Sequence, residues 1–232
     1  MTPNRHPAAR NTAPTGSTLP TRRAALGALA ATTLLLAGCG PKKDHRQDQV
    51  AAAVNGSTTP AADLTVMIIR HGEKPAGSEQ GHDDSGKPSN SSLTDRGWQR
   101  ADALPRLFTP QPTAGLHTPA KIYAAADSGP HAGAHRMRQT VTPLAHRLGL
   151  TVDLGYSETQ ESALAKAVAA QPGPVLICWE HSRIPAIARA IAPSAGAPAG
   201  WPDRFDLVWV FTRTGGVWSF HQLDQHLLPG DA

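Results

Sequence analysis

The segment that most constrains this chain is Leu64-Thr65-Val66-Met67-Ile68-Ile69-Arg70, rich in apolar and β-branched side chains and without polar alternation. Successive side chains of a strand point to opposite faces, so a strand with one wet face alternates in polarity. An unbroken apolar run must be covered on both faces, as happens inside a parallel sheet flanked by helices. The segment therefore predicts the central strand of an α/β domain. Pro174-Val175-Leu176-Ile177-Cys178-Trp179 is a second run of this kind. Lys121-Ile122-Tyr123-Ala124-Ala125-Ala126 and residues 151–154 read as further strands.

Helical patterns separate these strands. Thr94 is placed to cap a helix that turns Trp98, Ala101 and Leu104 inward, and Pro105 limits its length. Residues 135–148 put Met137, Val141, Leu144 and Leu148 on one face, with Gly149 as the stop. Ser157 and Gln160 form a capping-box pattern opening a helix to about residue 170. Ile184, Ile187 and Ile191 mark a helix after the second apolar run, and Thr214-Gly215-Gly216 joins two strand-like segments as a hairpin. Residues 76–92, rich in Gly, Ser and Asp, read as loop. The alternation of strand and helix predicts a three-layer α/β/α sandwich with a mostly parallel central sheet and an antiparallel edge.

The N-terminal part reads differently. Residues 24–38 are a small apolar run ending at Cys39, shorter than the roughly 20 residues a membrane span needs but suited to a signal-peptide core. Thr21-Arg22-Arg23-Ala24-Ala25-Leu26 resembles a twin-arginine export signal, although an arginine pair also suits the general secretory route; Leu36-Ala37-Gly38-Cys39 resembles a bacterial lipobox. The expected organisation is a signal peptide over residues 1–38, a flexible tether over 39–63 and a folded domain over 64–232. It implies export and a lipid on Cys39 that holds the protein to the outer face of the cytoplasmic membrane. With Cys39 acylated, Cys178 has no cysteine partner, and its apolar setting marks it as a small buried hydrophobe.

The net charge of +4 belongs to the leader. Seven of the 22 Lys and Arg precede residue 50 and are opposed there only by Asp44 and Asp48, which leaves 15 bases against 16 acids in the remainder. A near-neutral domain gives no ground for nucleic-acid binding.

Three polar clusters stand at or just beyond C-terminal ends of strands: Arg70-His71-Gly72-Glu73, residues 136–140, and Glu180-His181-Ser182. Ligands of open α/β sheets bind at that edge. Arg70-His71-Gly72-Glu73 after an apolar strand resembles the signature of the histidine phosphatase superfamily. The order of the remaining motifs agrees. Leu93-Thr94-Asp95-Arg96-Gly97-Trp98-Gln99-Arg100-Ala101 is similar to the family's first helix, and Ile122-Tyr123-Ala124-Ala125 followed by Arg136-Met137-Arg138-Gln139-Thr140 to its strand and arginine helix. Val175 through Ser182 is similar to the strand that carries its second histidine.

The resemblance implies a phosphoglycerate mutase-like fold and hydrolysis of phosphomonoesters through a phosphohistidine. His71 is the implied nucleophile, a role that suits a neutral imidazole. Arg70, Arg136 and His181 are the implied phosphate ligands, since phosphoryl transfer chiefly needs in-line positioning and neutralised oxygens. No metal or cofactor is implied, and the expected partner is a phosphorylated small molecule. Thr140, four residues after Arg136, falls on the same helix face, whereas Arg138 reads as a surface or ion-paired group. Glu73 is not implied as the proton donor, because that motif position also occurs in members that take their acid elsewhere. The donor stays open among Glu161, backed first, then Glu158, Asp127, Glu180 or solvent; acids in a first helical turn also favour the dipole without doing chemistry. Export disfavours the mutase branch. The rival expectation is a non-catalytic lipoprotein that keeps the phosphate pocket only to bind an anion.

Overall fold

The computed structural model describes residues 61–232. The expected signal peptide, the segments that resemble export and lipidation motifs, Cys39 and nearly all of the expected tether lie outside the described residues. Six strands form one sheet: β1 (Leu64–Arg70), β4 (Lys121–Ala125), β5 (Val152–Tyr156), β6 (Val175–Trp179), β7 (Leu207–Thr214) and β8 (Val217–Asp224), in the order β5-β4-β6-β1-β7-β8. The first four in chain order run parallel, and β7 turns antiparallel against β1. All seven residues of β1 and all five of β6 are buried, as unbroken apolar runs require. Cys178 is fully buried in β6, beside Ala124 of β4.

The helices are α1 (Asp95–Ala103), α2 (Pro105–Phe108), α3 (Arg136–Leu148), α4 (Glu161–Ala169) and α5 (Ile184–Ile191). Chain order steps from β1 to β4 to β5 in one direction across the sheet and from β5 to β6 in the other. Right-handed crossovers therefore put α1, α2 and α3 on one face and α4 on the opposite face, where α5 packs against it. This is the predicted three-layer sandwich. At the hairpin, Gly215 and Gly216 have φ of 57° and 86°, the double positive φ of a turn that matches strand twist.

Three local expectations need correction. The inward face of α1 is built from Gly97, Arg100, Ala101 and the following Leu104, while Trp98 is only half-buried and donates its indole N–H to the His82 carbonyl at 3.0 Å. Ser157 and Gln160 form only half of a capping box. The Gln160 carboxamide oxygen accepts from Ser157 N at 2.9 Å, but Gln160 N donates to Ser157 O and not to the serine hydroxyl, and α4 starts only at Glu161. Residues 76–92 include a two-residue strand, β2 (Gly81–His82), which pairs with β3 (Leu93–Thr94).

The β1 end is locked against α1 by two glycines. A Cβ on Gly72 would meet Gly97 O at 3.0 Å, and one on Gly97 would meet Glu73 O at 2.5 Å and Glu73 N at 3.0 Å. The obstacles are backbone atoms and cannot swing away. Gly97→Ala is expected to lower stability by about 2–3 kcal/mol, the range of overpacked sites; a urea midpoint equal to wild type would contradict this contact.

Candidate active site

Pairing of β1 with β6 aligns Arg70 with Trp179, so Arg70-His71 and Glu180-His181 leave the sheet side by side at its C-terminal edge. His71 is 1% exposed, and its backbone N–H donates to Trp179 O at 3.2 Å. Its Nδ1 lies 2.7 Å from Gly72 O. With the proton on Nδ1 making that bond, the Nε2 lone pair is available to a ligand. Burial, helped by the charges of Arg136 and Arg70 and opposed by the Gly72 bond, lowers the His71 pKa to about 3. The ring is therefore neutral throughout the physiological range.

Arg136 opens α3, which is stitched to the preceding loop. His135 N donates to Ser91 O at 2.9 Å, Leu93 N to Gln139 Oε1 at 3.1 Å, and Arg136 Nη1 to Asn90 O at 3.0 Å. Thr140 lies one turn along the same face, as its spacing predicts. It donates to Arg136 O at 2.7 Å and accepts from Gly72 N at 2.8 Å, tying the arginine helix to the signature loop.

Arg70 is 2% exposed. Its Nη1 donates to Asp203 Oδ1 at 3.1 Å and to Arg204 O at 3.3 Å, and its guanidinium carbon stands 3.8 Å from the Phe205 ring centroid. Phe205 also lies 6.0 Å from the His71 ring. Residues 203–205 thus wall the site, a contribution that sequence reasoning missed. Their position follows from topology: β7 runs antiparallel to β1, with Ile69 opposite Val208, so the segment before β7 must arrive where β1 ends.

His181 Nδ1 lies 2.5 Å from Glu180 Oε1. Burial and the Arg70 charge lower its pKa against the pull of Glu180. Five buried side-chain polar atoms among the described residues lack a hydrogen-bond partner: Arg70 Nε, Arg136 Nε, His181 Nδ1, Trp179 Nε1 and Glu161 Oε1. The first three belong to the three residues expected to hold phosphate. Orphaned buried polar groups cost roughly 1–3 kcal/mol each and are rare unless a function keeps them.

The acids divide clearly. Glu73 bonds Arg96 at 3.1 Å and Arg100 at 2.7 Å, and Asp231 also bonds Arg100, at 2.8 Å. Asp127 pairs with Arg138 at 2.5 Å and His135 at 3.1 Å; these partners outweigh burial and hold its pKa down. Arg138 also bridges to Asp84, so it is the ion-paired group its position predicts. Glu180 feels burial first, but its bonds from Ser182 lower its pKa overall. Glu158 differs from Asp127 and Glu180. Burial and the neighbouring Glu180 raise its pKa above the ordinary carboxylate value, against the pull of Arg136 and Arg183. Glu161 is buried at the first position of α4, with Oε1 unpartnered.

No protein-family model matches the chain, and no curated protein matches it in sequence. Solved structures do resemble it. Mycobacterial hydrolase 1 is 15% identical over 72% of this chain and 100% of its own, with a TM-score of 0.47. A mycobacterial glucosyl-3-phosphoglycerate phosphatase complexed with VO3 is 15% identical over 69% of this chain and 98% of its own, at 0.46. The protein histidine phosphatase SixA complexed with tungstate is 15% identical over 69% of this chain and 97% of its own, at 0.46. The chain is thus similar in structure to a hydrolase and to two phosphatases.

Proposed function

We propose that this chain is a histidine phosphatase that hydrolyses phosphomonoesters through a phosphohistidine on His71. The observation that carries this reading is the convergence of a neutral, buried imidazole with Arg70 and Arg136, each holding a buried Nε without a hydrogen-bond partner, and with His181 at the end of the neighbouring strand. His71 Nε2 attacks phosphorus, the P–O bond to the leaving group breaks, and the two arginines with His181 neutralise the equatorial oxygens. Water then cleaves the P–N bond and restores His71, releasing phosphate. The acid that protonates the leaving oxygen is assigned to Glu158 rather than Glu161, because Glu158 interacts with Arg136 and Glu180 and has the raised pKa an acid requires.

Two substrates test this assignment. An alkyl phosphate has a poor leaving group and needs the acid; a nitrophenyl phosphate does not. For the alkyl ester, kcat/KM is expected to fall as pH rises through the elevated Glu158 pKa, and Glu158→Gln should lower it about 100-fold. The aryl ester should change little in either experiment. An alkyl pH profile shared by wild type and Glu158→Gln would remove Glu158 from this role. Vanadate binding without turnover of either ester would favour the anion-binding lipoprotein instead.

We further propose that the protein is exported and held to the membrane by lipid on Cys39, on the strength of the lipobox resemblance. Metabolic labelling with palmitate should mark the wild type and not Cys39→Ala; equal labelling of both would exclude this anchor.

A further inference from the structure

The pair between Arg70 and Asp203 is oddly built for a structural contact. Arg70 is almost wholly buried, whereas the Asp203 side chain is 95% exposed. A pair with so exposed a partner adds little to stability. Yet the segment carrying Asp203 is firmly held. Trp201 is buried, stacks 4.8 Å from Trp209 and donates its indole N–H to Arg204 O at 3.0 Å. The Arg204 guanidinium in turn bonds Asp206 at 2.8 Å and Asp224 at 2.8 Å. The backbone that carries Asp203 is therefore held at the site between two anchored residues.

Its place relative to the reaction follows from geometry. Asp203 and the Arg204 carbonyl both take Nη1 of Arg70, leaving the unpartnered Nε edge of the guanidinium to a phosphoryl group. His71 forms the floor of the site. In-line displacement sends the leaving group away from the buried His71, and Asp203 is the exposed carboxylate on the Arg70 clamp that such a group can meet as it departs toward solvent. Around the other clamp, Glu158 and Glu180 act on Arg136; the remaining cations, Lys74 and Arg183, act on His181 and Glu158. Of these carboxylates, Asp203 is the one bonded directly to a phosphate clamp and exposed to solvent.

We propose that Asp203 is a specificity residue that selects phosphomonoesters by the charge of the leaving group, favouring an ammonium-bearing alcohol and disfavouring one with a second anion. This rests on the phosphate site proposed above. An anionic substituent close to the phosphoryl group meets the Asp203 carboxylate, and an ammonium in the same place pairs with it. Two units of substituent charge at about 7 Å in a watery mouth correspond to roughly five- to tenfold in affinity, reduced by salt.

Three phosphonates of matched size, whose C–P bond is not transferred to histidine, read this directly: 2-aminoethyl-, propyl- and 2-carboxyethylphosphonate. Calorimetric binding to the full chain at low ionic strength should give affinities in that order for wild type. In Asp203→Asn, the Kd ratio of the carboxyethyl to the aminoethyl compound should fall about five- to tenfold. A ratio unchanged by the substitution overturns the proposal. So does uniformly tighter binding of all three, which would make Asp203 a plain competitor for Arg70. If none of the three binds wild type, the phosphate site itself fails, and this inference with it. Because binding is read without turnover, loss of hydrolysis alone would reject the catalytic reading and leave the charge preference to be judged separately.

Discussion

His71→Ala is expected to lose hydrolysis of nitrophenyl phosphate by at least roughly 10³-fold in kcat/KM, the scale on which removing a nucleophile acts. Vanadate should still bind, because Arg70, Arg136 and His181 remain. An aryl ester hydrolysed at near wild-type rate by this variant would eliminate the phosphohistidine pathway. Stability supplies a second readout. The His71 pKa is about 3 in the fold against roughly 6.5 in an unfolded chain. Between those values the unfolded state takes up a proton that the folded state refuses, so the wild type loses stability as pH falls from about 6.5 toward 3. His71→Gln lacks that group, and its thermal midpoint should decline less over the same interval.

The second large effect is expected at Asp231, in the ion-pair cluster that anchors Glu73 of the signature loop. Arg100 and Asp231 have side chains 2% and 3% exposed, and Glu73, at 12%, completes the cluster. Asp231 Oδ2 also accepts from Leu227 N at 2.9 Å and Leu228 N at 3.0 Å. Removing one partner of a buried ion pair leaves the other charge uncompensated, at a cost of about 3 kcal/mol. Asp231→Ala should therefore melt roughly 6–12 °C below wild type, and a shift under about 2 °C would show that Glu73 alone satisfies Arg100. The pH response has a defined sign. The Arg100 bond outweighs burial and lowers the Asp231 pKa to about 2. Its contribution is complete above an unfolded value near 3.9 and is lost as pH falls through about 2.

The strands were legible because both-face burial leaves an unmistakable mark. Val66 through Ile69 and Val175 through Trp179 are at 0% exposure, and no polar residue interrupts either run. Arg136 was named through the resemblance, and Thr140 beside it was legible because helical spacing fixes which side chains share a face. Arg100 was not, since a buried guanidinium depends on Glu73 and Asp231, which lie 27 and 131 residues away and leave no local periodicity. The Ser157–Gln160 pattern was met only in part: the return bond to Ser157 N forms, while the helix starts three residues later than the spacing implies. The environment of the proposed acid lay beyond sequence too, because the raised Glu158 pKa reflects its burial and then Glu180, on another strand end. The wall at residues 203–205 carries no motif, and only the antiparallel entry of β7 assigns it a place.

Cys178 turns these comparisons into a controlled set. Its sulfur is sealed in the middle of the sheet, and burial pushes the thiol pKa far above the ordinary range. A thiol reagent therefore waits for the centre of the domain to open, so in a Cys39→Ala background the labelling rate of this one sulfur acts as a clock for opening. Gly97→Ala and Asp231→Ala should run that clock faster. Asp203→Asn should leave it untouched, because that carboxylate governs what enters the site and not how tightly the sheet is closed.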